Sequence, residues 1–212
     1  MSLASRRREY ARAALDEAHT VDDPVRQFGA WYAEAEQAGV PEPNAMTLAT
    51  ADPNGRPSAR IVLLKGFDPH GFVFYTDYRS RKGRELDANP QAALVFHWME
   101  VERQVRICGG VERVDAATSL AYYRTRPVGS RLGAWASRQS TILPDRGALE
   151  AELARVTAEY AGRDIPLPPH WGGYRVVPDE IEFWQGRPDR LHDRIQYTRI
   201  SEQQWKRVRL SP

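Results

Sequence analysis

Short antiparallel strands, with helices set between them in no β-α-β order, predict a mainly β fold: an antiparallel sheet or barrel decorated with added helices. Three observations carry that prediction. Asp52-Pro53-Asn54-Gly55 and Asp68-Pro69-His70-Gly71 are turn sequences between runs of strand-forming residues. Helix-capping residues recur at Ser80, Asp115 and Asp145, but not after every strand. Neither a Gly-x-Gly-x-x-Gly nor a Gly-x-x-x-x-Gly-Lys-Ser/Thr loop is present, which weakens a doubly wound dinucleotide fold and a P-loop fold alike.

In chain order, residues 5 to 18 read as a charged, Ala-rich helix. Asp23-Pro24 opens a second helix whose Phe28, Trp31, Tyr32 and Ala35 form an apolar stripe suited to packing on a sheet. The sheet begins with Ala45 to Ala51 and returns through Ser58 to Lys65 as a hairpin. A second hairpin follows, with Phe72 to Thr76 after its turn. Ser80 caps a helix ending near Asn89-Pro90, and Gln91 to Trp98 pairs with Arg103 to Val114. Asp115 caps a helix running to Arg126, and Asp145 caps another with Leu149, Leu153, Val156 and Tyr160 in register. After Pro188-Asp189 a strand is expected, with Arg190, His192 and Arg194 on one face and Leu191, Asp193 and Ile195 on the other.

Composition narrows the class. A chain of 212 residues with 42% hydrophobic residues and six tryptophans can bury a sizeable core as one domain. A formal charge of only +2 implies no strong polyanion field, so nucleic acid is not an expected partner. The single cysteine, Cys108, excludes an internal disulfide framework and fits a reducing cytoplasm. The five histidines fall in no ligand spacing, so no metal site is expected. No apolar run approaches the ~20 residues of a membrane span, and none follows the N-terminal charges; a soluble, unprocessed, cytoplasmic chain is the expectation.

Several clusters suit anions. On one strand face Arg190, His192 and Arg194 would span roughly 13 Å, the scale of a small phosphorylated heterocycle, although such a row reads equally as a solvated face. Ser80-Arg81-Lys82 stands where a strand gives way to a helix, so free N–H groups and two cations converge; a capped surface helix is the plainer reading. Arg60 and Lys65 bracket an apolar strand, and their parity places them on opposite faces. Tyr122 and Arg126 share a helix face, with Ser130 following Pro127: a phosphate-suited trio, or a core tyrosine beside a surface arginine.

Taken together, Arg7-Arg8-Glu9-Tyr10, Arg60-Ile61-Val62-Leu63-Leu64-Lys65, Phe74-Tyr75-Thr76, Ser80-Arg81-Lys82, Glu102-Arg103-Gln104-Val105, Gln139-Ser140, Trp171-Gly172-Gly173 and Glu182-Phe183-Trp184-Gln185-Gly186 with Arg190-Leu191-His192-Asp193-Arg194 resemble the pyridoxine (pyridoxamine) 5′-phosphate oxidase family over nearly the whole chain. The resemblance implies an FMN-binding split β-barrel that works as a homodimer with FMN at the subunit interface. It implies residues 1–40 as a helical segment with a substrate lid, and 41–212 as the barrel with its C-terminal dimerisation and substrate-binding region. Arg60, Ile61, Val62, Leu63, Leu64, Lys65, Tyr75, Thr76, Arg81, Lys82, Gln104, Gln139, Ser140, Trp184 and Arg194 are the implied FMN residues.

The implied substrate residues are Arg7, Tyr10, Lys65, Tyr122, Arg126, Ser130, Arg190 and His192, of which Arg190 and His192 address the reacting ring. The implied reaction oxidises pyridoxamine or pyridoxine 5′-phosphate to pyridoxal 5′-phosphate by hydride transfer to FMN, with dioxygen reduced to hydrogen peroxide, in vitamin B6 biosynthesis and salvage. A related split-barrel flavin oxidase on another ring, or a non-catalytic FMN or pyridoxal phosphate carrier, are the alternatives. One departure stands out: Ile195 occupies a position where family members often carry an aromatic residue.

Overall fold

A computed structural model describes residues 9–212. Its nine strands form a single antiparallel sheet: β1 (Ala45–Ala51), β2 (Pro57–Leu63), β3 (Gly66–Asp68), β4 (Gly71–Asp77), β5 (Gln91–Trp98), β6 (Arg103–Arg113), β7 (Trp171–Gln185), β8 (Asp193–Arg199) and β9 (Trp205–Leu210). The order is β2-β1-β5-β6-β7-β4-β3, with β8 beside the second half of β7 and β9 beside β8. Since β3 follows β2 directly in the chain, the two ends of that order must curl toward each other. The Lys65 N–H bonds to the Val73 carbonyl at 2.8 Å across this junction. The result is a curled half-barrel in which β2, at one end of the order, comes to face β4, next to the other end, without pairing to it.

Five helices decorate it: α1 (Pro24–Gln37), α2 (Arg81–Ala88), α3 (Ala116–Thr125), α4 (Val128–Ala136) and α5 (Arg146–Glu159). Asp23, Ser80, Asp115 and Asp145 accept first-turn N–H groups of α1, α2, α3 and α5, as their positions predict. The stripe on α1 is real. Phe28 is fully buried and meets Phe67, Phe72 and Phe96 edge-on, each with ring centroids 5.0 Å apart. Such pairs contribute about 0.5–1.5 kcal/mol each beyond their area, so α1 is fastened to the barrel core. On α5 only Val156 is buried and Leu153 is exposed, because this helix packs on α4 in a small satellite core with Leu132, Ala136 and Ile165.

Two expected elements take another form. Of the helix expected over 5–18, residues 9–16 form no regular element and only Glu17–His19 turns, as a 3-10 segment; residues 5–8 lie outside the described part. Tertiary bonds decide this: the N–H groups that a helix would use internally go instead to Glu102 and Asp193. The strand expected from Arg190 begins only at Asp193. Pro188–Arg190 forms a 3-10 turn with Asp189 and Arg190 at φ 55 and 62, so Arg190, His192 and Arg194 do not share a strand face.

The β6–β7 ladder contains a bulge between Cys108 and Gly109. A Cβ on Gly109 would stand 2.0 Å from the Val177 carbonyl oxygen and 2.8 Å from the Pro178 Cα, both backbone atoms with no freedom to step aside. Gly109→Ala is therefore expected to cost about 2 kcal/mol through overpacking, seen as a lower urea midpoint at unchanged slope. An unchanged midpoint would mean that the bulge relaxes.

Candidate active site

The gap between β2 and β4 opens into a cavity of about 980 Å³ lined by Arg60, Ile61, Val62, Leu63, Lys65, Tyr75, Thr76, Arg81, Lys82, Tyr122, Arg126, Ser130, Gln139 and Ser140, among others. These residues come from β2, β4, α2, the α3–α4 corner and the turn after α4. Leu64 is absent from the lining; its side chain is buried in the core. Arg60 and Lys65, opposite by parity, face the same cavity because β2 ends at Leu63 and the chain bends before Lys65.

One end of the cavity is built around Glu85 on α2. Its carboxylate is 6% exposed; Oε2 accepts from Thr50 at 2.5 Å, Ser58 at 2.6 Å and Arg60 at 3.1 Å, and Oε1 accepts from Arg81 at 2.8 Å. Burial pushes this carboxyl up, yet the bonds from Ser58, Thr50, Arg81 and Arg60 outweigh it and hold the group at about 2. Lys82 sits beside this network, 7% exposed, and its ammonium donates to Thr76, Gln139 and Ser80, all neutral, at 3.1, 3.2 and 3.4 Å. Burial, followed by the nearby Arg60 charge, lowers its pKa. Three cations against one carboxylate leave two positive charges here, which match a phosphate monoester.

The other end carries a second cationic demand. Tyr75, Tyr122 and Trp171 stack, with Tyr75 and Tyr122 centroids 4.0 Å apart and Tyr75 and Trp171 5.5 Å apart. The Arg126 guanidinium lies 4.6 Å over the Trp171 ring, and its Nη1 is buried without a hydrogen-bond partner. Desolvation lowers its pKa. Arg126, with this orphaned nitrogen, lines the cavity together with Lys65, Tyr122 and Ser130, a set suited to an anion.

A separate cluster lies near the far end of β7. Trp184 pairs with Gln104 on β6 and with Arg194 on β8, and its ring lies 4.6 Å from His192 and 5.8 Å from Tyr10. The His192 Nδ1 accepts the Arg187 N–H at 3.1 Å, which leaves the ring proton of the neutral form on Nε2. Burial, and then the Arg190 charge, lowers the His192 pKa, so the ring is a neutral donor at pH 7. Arg194 is held bidentately by the 2%-exposed Glu182 at 2.8 and 3.1 Å, and Arg106 donates to the same carboxylate at 3.1 Å.

Thus the structure gathers most of the expected residues into one cavity and leaves Tyr10, Leu64, Gln104, Trp184, Arg190, His192 and Arg194 outside its lining. Arg7 lies outside the described residues. Sequence reasoning missed the two buried glutamates that hold the arginines. Glu85 had a signal, its i,i+4 spacing from Arg81; Glu182 becomes Arg106's partner only through the β6–β7 register.

A family model described as pyridoxamine 5′-phosphate oxidase matches residues 14–160, and one described as the pyridoxine 5′-phosphate oxidase C-terminal dimerisation region matches 171–212. The chain belongs to the pyridoxamine 5′-phosphate oxidase family. Curated family relatives named pyridoxine/pyridoxamine 5′-phosphate oxidase include one from Burkholderia lata, 58% identical over 213 residues, covering 100% of this chain and 99% of that one. Another, from Ralstonia nicotianae, is 59% identical over 211 residues with the same coverage. Among solved structures, PhzG from Burkholderia lata in complex with tetrahydrophenazine-1-carboxylic acid superposes with a TM-score of 0.89 at 35% identity, over 95% of this chain and 99% of that one. An FMN-binding protein from Nostoc punctiforme shares the fold, with a TM-score of 0.72 at 21% identity over 91% and 100% of the two chains.

In this family member Glu85 should leave a pH signature. Its folded value, about 2, lies below its ordinary 4.5, so its contribution to stability is present above pH 4.5 and is lost as the pH falls toward 2. Urea midpoints between pH 6 and pH 3 should therefore fall less steeply for Glu85→Gln than for the parent; parallel curves would exclude this role.

Proposed function

We propose that this chain is an FMN-dependent oxidase that converts pyridoxamine 5′-phosphate or pyridoxine 5′-phosphate to pyridoxal 5′-phosphate, with dioxygen as acceptor and hydrogen peroxide as the second product. The observation that carries the proposal is the pair of unmet cationic demands in one cavity: Lys82, buried among neutral acceptors, and Arg126, with an orphaned Nη1. Two anion sites in one cavity suit a phosphorylated cofactor lying beside a phosphorylated substrate.

On this reading Arg60, Arg81 and Lys82 hold the FMN phosphate, while Tyr75, Thr76, Gln139, Ser140 and the Ile61–Lys65 stretch border the rest of the cofactor. Lys65, Tyr122, Arg126 and Ser130 take the substrate phosphate. When bound, FMN would supply a two-electron acceptor for hydride from the substrate's exocyclic carbon. Arg190, always charged, would hold the electron-rich pyridine ring, and His192 would donate from Nε2 to a ring substituent. Its occupied Nδ1 and lowered pKa suit positioning better than obligatory base catalysis.

Tyr75 is paired with Gly173 on β7, and Trp184 stands eleven residues farther along that strand, roughly 35 Å of strand path. That separation, and the match of 171–212 to a dimerisation region, support a homodimer in which Gln104, Trp184, Arg190, His192 and Arg194 of a second copy complete each cavity. A vitamin B6 role in the cytoplasm follows from this reading; among the described residues no helix is long and apolar enough to cross a membrane. Oxidation of another ring remains the competing activity, since PhzG shares the fold. The Lys65–Tyr122–Arg126–Ser130 end favours a phosphorylated substrate.

The test is direct. Protein reconstituted with FMN and mixed with pyridoxamine 5′-phosphate in air should form pyridoxal 5′-phosphate and peroxide together; flavin binding without turnover would indicate a carrier. Lys82→Ala should weaken FMN binding by about tenfold or more, the scale of one hydrogen bond to a charged group, as read by flavin fluorescence titration. Arg190→Ala should instead cut turnover strongly and leave the FMN dissociation constant in place; full turnover by that variant would remove Arg190 from the substrate group.

A further inference from the structure

We infer that Glu102 is the latch that holds the N-terminal strap, residues 10 to 15, against the Trp184–His192 cluster, and is thereby a positioning residue for Tyr10. The consequence for catalysis rests on the oxidase reading above; the latch itself does not. Glu102 is 8% exposed, and its Oε2 accepts the backbone N–H groups of both Ala11 and Arg12 at 3.0 Å. Among the described residues no lysine or arginine pairs with this carboxylate. The two strap N–H groups are its recorded partners, so a buried charge depends on the strap staying in place.

The same residue is tied to the strand end that carries the cluster. Its carbonyl accepts the Gly186 N–H at 2.8 Å and the Gln185 side-chain amide at 3.2 Å. Tyr10, one residue before the latched pair, is set with its ring centroid 5.8 Å from Trp184 and 6.0 Å from His192. It approaches so closely that a Cβ on Gly186 would lie 2.7 Å from both Tyr10 Cβ and Cγ. Glu102 also occupies the left-handed region, at φ 56, where a glycine would sit without strain. A glutamate at such a position costs backbone energy that its contacts must offset, and the side chain contributes the two bonds to the strap.

The remaining strap bonds differ in kind. Arg12 donates to the Glu100 carbonyl at 2.8 Å, Arg187 to the Ala13 carbonyl at 3.1 Å, Arg209 to the Leu15 carbonyl at 3.0 Å, and the Leu15 N–H to Asp193 at 3.0 Å. Asp193 also pairs with Arg187 and Arg209, so it loses less than Glu102 when the strap lifts. Release of the segment that places Tyr10 is therefore governed at Glu102.

The informative variant is Glu102→Gly, which removes the carboxylate and relieves the backbone, so the protein should fold; Glu102→Gln, which keeps a neutral acceptor oxygen, is its conservative partner. Trypsin cleavage after Arg12 tracks the open fraction of the strap when closing is fast. It should be about tenfold faster in Glu102→Gly, with Glu102→Gln in between. In the reconstituted enzyme the KM for pyridoxamine 5′-phosphate should rise by about tenfold in Glu102→Gly with kcat within about twofold and FMN affinity unchanged. Equal cleavage rates would overturn the latch. Faster cleavage with an unchanged KM would overturn the positioning role. A parent protein that turns over no substrate would sink the oxidase reading, and the cleavage rates would still decide the latch.

Discussion

The pairing of β6 with β7 is the constraint on which the rest of this molecule depends. It joins two of the longest strands over most of their length, from Arg103 opposite Gln185 to Arg113 opposite Tyr174. The opposite edge of β7 is shared by β4 and then β8. One strand thus delivers Trp171 to the Tyr75–Tyr122 stack beside the cavity at its start, and Glu182 and Trp184 to the second cluster near its end. The bulge at Gly109 lies between these two stretches, so it bends the ladder between the clusters and not within either. Loss of this ladder would separate β2 from β4, the two strands that wall the cavity.

Charge is handled by one device used twice. A buried glutamate holds two arginines: Glu85 holds Arg60 and Arg81, and Glu182 holds Arg106 and Arg194. In each place a guanidinium is fixed in orientation before any ligand arrives, which lowers the ordering cost of binding. The glutamate also removes one charge, leaving the Lys82 end with two positive charges where it would otherwise hold three. Lys82 and Arg126 are the exceptions, having no carboxylate of their own. Buried cations without carboxylates destabilise the ligand-free protein, and the same deficit is what an incoming anion repairs.

Local signals were legible in the sequence and non-local ones were not. The β1–β2 hairpin announced itself through Asp52 to Gly55, and the helix starts through Asp23, Ser80, Asp115 and Asp145, because those residues act on N–H groups two or three positions away. The Ala-rich stretch before His19 misled for the converse reason: its helix propensity is worth a few tenths of a kcal/mol per residue, less than the bonds that Glu102, Asp193 and Arg209 offer from far along the chain. The alternation expected from Arg190 failed at two left-handed residues, Asp189 and Arg190, neither of them glycine and hence neither flagged by composition. The fully buried Ile195 sits in the core beside Phe183 on the paired strand.

The misread turn also bears on how the proposed chemistry is divided. On a regular strand, Arg190 and His192 would have pointed the same way as two interchangeable polar groups. In the turn, Arg190 is exposed, while His192 is pinned between Trp184 and the Arg187 N–H. A pinned neutral imidazole with its proton on Nε2 can discriminate a substituent by position, and an exposed guanidinium suits an electron-rich ring. Tyr10 packs on the pinned partner, 6.0 Å from His192, so the strap meets the rigid half of the pair. On the proposed reading, a segment that rests on a rigid group would present one geometry to each substrate, which is what transfer of hydride from a single exocyclic carbon would require.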